Sequence, residues 1–151
     1  MLATVTRKEA YAALRVRMDS TLTAYNTDNS ASIQCFYDNV VRKRPSDLGT
    51  YLTFNITSSG TSDLISPTVF RQVGIAVVKI YIPIGEGTNE SLDISDYLES
   101  SDGFLLQKWP DNVMEITNIA SRDIGPDGSN FVTNVNITFQ YNKGTRTHGT
   151  E

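Results

Sequence analysis

From Phe131 to Tyr141 the side chains alternate. Phe131, Val135, Ile137, Phe139 and Tyr141 fall on one side, and Asn134, Asn136, Thr138 and Gln140 on the other. Only a strand puts residues i and i+2 on one face. A strand divided in this way needs an apolar cover on one face and tolerates water or a partner on the other. Its backbone donors and acceptors also need neighbouring strands, since an unpaired buried N–H or C=O is costly. The rest of the chain must therefore supply both a sheet and a layer that covers one side of it.

The covering layer is legible as helices. Thr6 and Glu9 stand three apart, the spacing at which a hydroxyl and a carboxylate each satisfy a free N–H at a helix start. Tyr11, Leu14, Met18 and Leu22 then fall on one helical stripe, with Arg15, Arg17 and Asp19 elsewhere. This predicts a helix from about Arg7 to Ala24, ended by the turn formers Tyr25-Asn26-Thr27-Asp28-Asn29-Ser30. A second, shorter helix is expected after Gly85-Glu86-Gly87. Thr88 can cap it, Glu90 and Asp93 suit its dipole, and Ile94, Tyr97 and Leu98 form its apolar stripe. It should end near Ser100-Ser101-Asp102-Gly103.

Other strands precede the C-terminal one. Ile33, Cys35 and Tyr37 alternate over a short run, and Leu52, Phe54 and Ile56 alternate with Tyr51, Thr53 and Asn55. Val113 to Ile119 is a weaker strand with Met114 and Ile116 facing inward. Arg71 to Pro83 is apolar in both phases: Val73, Ile75 and Val77 share one face, and Val78, Ile80 and Ile82 the other. Either a bulge near Val77-Val78 shifts the phase, or the strand is buried on both sides. A central strand is the expectation, ended by Pro83, which has no N–H for the ladder.

The 151 residues, 39% hydrophobic and 20% charged, suit one domain with its own core. The predicted architecture is a two-layer α+β fold: a mixed or antiparallel sheet of about five strands, with two helices packed on one face. Residues 1–141 form this domain. Asn142 to Glu151 contain no apolar residue and are expected to be a flexible polar tail.

Chemistry is thinly provided. His148 is the single histidine and lies in the polar tail. Cys35, the single cysteine, alternates with Ile33 and Tyr37 and reads as a small buried hydrophobe. Gly85-Glu86-Gly87-Thr88 lacks the Lys-Ser/Thr pair of a phosphate loop and the third glycine of a dinucleotide fingerprint. Asp123-Ile124-Gly125-Pro126-Asp127-Gly128-Ser129-Asn130 lacks the ligand spacing of a calcium loop and reads as a reversing connection between the last two strands. Three glycosylation sequons, at Asn55, Asn89 and Asn136, are expected to be chance matches. A net charge of −4 does not suit a dedicated nucleic-acid binder. No catalytic residue, metal or cofactor is expected, so the chain is read as a non-enzyme.

Two segments stand out as contact candidates. Arg42-Lys43-Arg44 is the one basic cluster and precedes Pro45 on an expected surface loop, where it can meet an acidic partner. Ser58 to Thr68 is mostly polar and is expected to be a long loop projecting from the sheet. At its tip Leu64 and Ile65 are expected to order against a neighbouring subunit or partner.

The order and spacing of several residues resemble the tail-terminator (tail-completion) proteins of tailed bacteriophages. After the N-terminal helix come Tyr37-Asp38-Asn39, the loop with Pro45, and Tyr51-Leu52-Thr53-Phe54. These are followed by Arg71-Gln72-Val73-Gly74 leading to Pro83 and Gly85, and finally by the aromatic pair Phe139 and Tyr141. The resemblance covers Lys8 to Tyr141. Tyr37 stands where tryptophan is more usual in the family, and the stretch after Ile56 is longer. The resemblance implies a ring, usually a hexamer, at the head-proximal end of the virion tail, assembled in the host bacterial cytoplasm. Its partners would be copies of itself, the tail tube protein whose polymerisation it stops, and the head-completion or connector protein. DNA would pass through the ring without sequence-specific binding, and no membrane is involved. A head–tail adaptor or other virion ring protein is the nearest alternative, and a small ligand-binding domain or hydrolase a more distant one.

Overall fold

The structure, a computed structural model, describes residues 4–37, 49–66, 68–85, 87, 89–101, 103–104 and 114–144, with the backbone alone for 59–66 and 144. Helix α1 spans Arg7–Asn29. Its first turn is held by the predicted reciprocal cap: Glu9 N–H donates to Thr6 Oγ1 and Thr6 N–H donates to Glu9 Oε1, both at 3.1 Å. Ala10, Leu14, Met18, Leu22 and Tyr25 make its buried stripe.

The helix does not stop at Ala24. It runs a further turn through the expected breakers, because tertiary contacts reward that turn more than local propensity opposes it. Tyr25 is buried and meets Tyr97 edge-on at 5.4 Å. Asn26 copies a backbone pairing: its Oδ1 accepts from Ile33 N–H at 3.1 Å and its Nδ2 donates to Ile33 O at 3.0 Å. Thr27 and Asn29 turn their side chains back onto the carbonyls of Thr23 and Tyr25. Ser30 then closes the helix in the left-handed region at φ 51°, and Ala31 N–H reaches Asn26 O at 2.9 Å.

Five strands follow: β1 (Gln34–Tyr37), β2 (Tyr51–Ser66), β3 (Val69–Pro83), β4 (Glu115–Asp127) and β5 (Asn130–Gly144), with helix α2 (Asn89–Leu98) between β3 and β4. The sheet order is β1-β2-β3-β5-β4. The β1–β2 pair is parallel and the others are antiparallel. The fold is thus α+β in two layers, with a mixed sheet.

β3 is the central strand, and its register with β5 runs from Val69↔Gly144 to Pro83↔Asn130 without a shift. Ala76, Val78, Ile80 and Ile82 of β3 join Leu52, Phe54 and Ile56 of β2 and Val135, Ile137, Phe139 and Tyr141 of β5 in one core with both helices. Central placement is as expected, but burial on both sides is not: Ile75 is 44% exposed on the face away from the helices. Gly74 sits on the inner face, where a Cβ would stand 2.9 Å from the Thr57 carbonyl and 3.0 Å from Phe139 Cε1. The glycine of the Arg-x-x-Gly sequence is thus the floor beneath the Phe139 ring.

Three other expectations are corrected. Ser58 to Thr68 is not a loop: β2 continues to Ser66 and pairs with β3 up to Ser66↔Val69, with register shifts between Ser58 and Ser62 and between Leu64 and Ser66. Backbone pairing is indifferent to side-chain polarity, so a stretch of Ser, Thr and Gly can pair without showing alternation. β4 runs to Asp127 rather than Ile119. Thr117 and Ile124 are extra residues in its register, and each shifts the phase and hides the period of two. Gly128, at φ 63°, then opens a two-residue turn into Asn130. The last strand also runs past Tyr141, into the stretch expected to be a tail. Asn142 is 4% exposed and bridges Thr4, and Asn142 O accepts from Val5 N–H at 2.9 Å. Residues 145–151, which include His148, lie outside the described residues.

The end of α2 is tied to α1. Arg17 Nε donates to Gly103 O at 2.8 Å and its Nη2 to Ser101 O at 3.0 Å, while Phe104 N–H closes onto Leu98 O at 2.7 Å. Thr88, the expected cap of α2, lies outside the described residues.

Candidate partner-binding face

Because β3 pairs without a shift with β5, and with β2 from Tyr51 to Ser58, residues opposite one another stand in rows across the sheet, and those at odd-numbered positions of β3 from Val73 onward face away from the helices. One row is Tyr51–Tyr81–Val132. The next is Phe36–Thr53–Lys79–Asn134–Arg122, followed by Asn55–Val77–Asn136–Ala120 and then Thr57–Ile75–Thr138–Asn118. Glu115, Gln140 and Val73 lie beyond these. The top of this face is aromatic: Tyr51 stacks on Tyr81 at 4.6 Å and 9°, and Phe36 meets Tyr51 edge-on at 5.9 Å.

Below the aromatics the face opens. Asn55, Thr57, Ile75, Asn118, Ala120 and Arg122 are exposed, and Val73, Val77 and Lys79 are half-buried. The result is a small apolar centre of Ile75, Val77 and Ala120 set among neutral amides and hydroxyls. Lys79 and Arg122 border it toward the aromatic end and Glu115 borders it toward the other. In the Lys79 row, Thr53 Oγ1 and Asn134 Oδ1 are buried with no hydrogen-bond partner among the described residues. A surface with a narrow apolar stripe among polar side chains, and charges at its border, can make contacts.

On the helical side, the exposed stripe of α2 is Asn89, Leu92, Asp93 and Asp96, with Leu92 at 49% exposed. Glu90 and Asp93 add to burial in raising the Tyr25 hydroxyl above its ordinary value.

Two titratable groups packed against the core, Cys35 and Tyr37, are pushed toward their neutral forms. Burial is the main cause that pushes the Cys35 thiol up to about 12; a hydrogen bond to Tyr37 opposes the shift and the Asp19 charge adds to it. Burial likewise raises Tyr37, whose hydroxyl donates to the Asp19 carboxylate. A thiol held protonated is a packing group, not a nucleophile. Between the helices and β2 there is an apolar cavity of about 10 Å³, bordered by Met18, Leu22, Tyr25, Leu52, Ile94 and Leu98. That is room for about one water, so it is a packing gap and not a substrate pocket. No three His, Cys, Asp or Glu side chains gather as a metal site among the described residues.

Of the contact candidates named from sequence, Arg42, Lys43 and Arg44 lie outside the described residues. Leu64 and Ile65 lie in β2 near its end, and Leu64 is in register with Phe70 of β3. Leu64 is paired and Ile65 falls in the register shift that follows it, so both lie within a strand and not at the tip of an open loop. Sequence reasoning missed the Ile75–Val77 face, although its signal was present: β3 is apolar in both phases, and only one phase is used by the core.

No family model matches the chain, and no curated protein matches it. A solved protein structure superposes on it with a TM-score of 0.59 at 13% identity, the match covering 91% of this chain and 96% of the other. The likeness is therefore one of fold, and it takes in both layers of the domain.

Proposed function

We propose that this chain is a structural subunit of a tailed-phage virion, of the tail-terminator type. Several copies would close into a ring on the finished end of the tail tube, stop its growth and present the face that meets the head connector. The observation that carries this reading is the open sheet face: an apolar stripe at Ile75 and Val77 lies among amide and hydroxyl side chains bordered by Lys79, Arg122 and Glu115, on the side of the sheet opposite the core. Such a stripe gains nothing from water and is suited to a protein contact. The long β2–β3 hairpin adds a second contact element, since its pairing continues to Ser66↔Val69.

A terminator must match a symmetric tube end and itself stop growing. A head-to-tail contact whose rotation closes meets both demands. The contacts between subunits can be weak, because a tube end holds neighbours together and raises their effective concentration. The test is a phage carrying a deletion of this gene. The expected result is tails of uncontrolled length, or tails that fail to join filled heads. Normal-length tails joined to heads would overturn the proposal.

A further inference from the structure

Two exposed surfaces among the described residues are complementary. The open sheet face carries Ile75, Val77 and Ala120, with Lys79 and Arg122 one row away. Helix α2 presents Leu92 with Asp93 and Asp96, and the helix contains no basic residue. None of Lys79, Arg122, Asp93 and Asp96 has an ion-pair partner among the described residues. We propose that the open sheet face of one copy receives the outward stripe of α2 from a second copy. This deepens the ring reading and rests on it.

The spacings agree. Along β3, the step from Val77 to Lys79 is two residues, roughly 6.8 Å at strand rise. Along α2, the step from Leu92 to Asp96 is four residues, about 6 Å at helical rise. With Leu92 seated on Val77 and Ile75, Asp96 therefore reaches the row of Lys79 and Arg122, and Asp93, one residue from Leu92, adds its charge beside the apolar seat. In that direction the N-terminal end of α2, where the helix dipole is positive, points toward Glu115. The whole ten-residue helix is about 15 Å long and fits within the rows from Val73 to Lys79. The two surfaces lie on opposite layers of the fold, so the contact is head-to-tail, the kind that builds rings or filaments rather than isologous dimers.

A contact of this size is weak and ionic in part, so it is tested at high protein concentration and varied salt. Amide spectra of the free protein should shift with concentration up to about 1 mM at low salt, at Ile75, Val77, Ala120, Leu92 and Asp96. The shifts should fade near 0.5 M NaCl, where screening shortens the reach of the charges to a few ångströms (about 3 Å at 1 M). Two charge-reversed proteins give the decisive measurement. One carries Lys79→Glu and Arg122→Glu, and the other Asp93→Lys and Asp96→Lys. Each alone should lose about tenfold or more in self-association, and an equimolar mixture should recover it, because each reversed sheet face then meets a reversed helix. Arg122→Glu alone, at an exposed site, serves if the double sheet variant does not fold.

Self-association that ignores both reversals would overturn the contact, as would a folded pair that fails to recover on mixing or spectra unchanged up to 1 mM. Open filaments assembled through these same residues would support the contact and overturn the ring. A phage whose tails are normal without the protein would overturn the terminator reading and leave the contact standing.

Discussion

Gly74→Ala tests whether the Phe139 ring and the β2–β3 pairing share one site. A Cβ at Gly74 would stand 2.9 Å from the Thr57 carbonyl and 3.0 Å from Phe139 Cε1, with the ring tip nearer still. Ordinary contact begins near 3.4 Å. The ring cannot swing away freely, because Phe139 is fully buried and lies against Tyr141 at 6.1 Å and 17°. The carbonyl cannot retreat without loosening Thr57↔Ile75 and Ser58↔Gly74 in the ladder. Overpacking of this kind costs about 1–3 kcal/mol. The stiffer unfolded chain returns roughly 0.4–1 kcal/mol to the alanine variant, and because the new methyl meets two buried groups at once the overpacking lies in the upper half of its range, which leaves a net loss of about 1–2 kcal/mol. For a chain of this length that lowers the melting temperature by about 2–8 °C. Urea titration of the wild type, Gly74→Ala, Phe139→Leu and the double variant supplies the cycle. The two changes should couple favourably by about 1 kcal/mol or more, since leucine vacates the space that the new methyl needs. Additive losses, or a Gly74→Ala protein as stable as wild type, would refute the steric account.

Three further outcomes are expected. Leu14→Ala removes a fully buried contact between α1 and the sheet and should lower unfolding free energy by about 2–5 kcal/mol in urea titration; a loss below 1 kcal/mol would mean that α1 is not docked as described. Arg17→Ala releases the carbonyls of Gly103 and Ser101 and should cost roughly 1–3 kcal/mol, with faster amide exchange at Phe104; unchanged exchange there would show that Arg17 does not hold this turn. Stability should also fall as pH rises from about 9 toward 12. The unfolded Cys35 thiol loses its proton near 9.0 while the folded one holds it to about 12, so the stabilisation is complete below pH 9 and lost across that window. Cys35→Ala should flatten part of this slope in urea midpoints taken at pH 8, 9.5 and 11, and an identical slope in the variant would contradict a thiol kept neutral by burial.

The elements that sequence determined are those in which a local rule acts alone. Thr6 and Glu9 find each other across three residues wherever the helix goes, and the stripe of Leu14, Met18 and Leu22 has one face to bury. The alternation from Phe131 to Tyr141 became the inner and outer faces of β5 with no shift in phase. Two amphipathic helices and a half-apolar sheet have few ways to pack, so the two-layer α+β class followed from pattern alone.

What tertiary structure decided was every feature in which a distant partner outweighs local preference. The last turn of α1 exists because Tyr25 has Tyr97 to pack against and Asn26 has Ile33 to bond. Ser58 to Ser66 is a strand because β3 offers it a ladder, and hydrogen-bonded backbone leaves no period in the side chains. β4 was hidden because Thr117 and Ile124 are bulged and each break the alternation. The candidate contact face was decided the same way. Sequence shows that β3 is apolar in both phases, but a chain read in one dimension cannot say which phase the helices cover. Once α1 and α2 occupy the side of Ala76, Val78 and Ile80, geometry leaves Ile75 and Val77 facing outward.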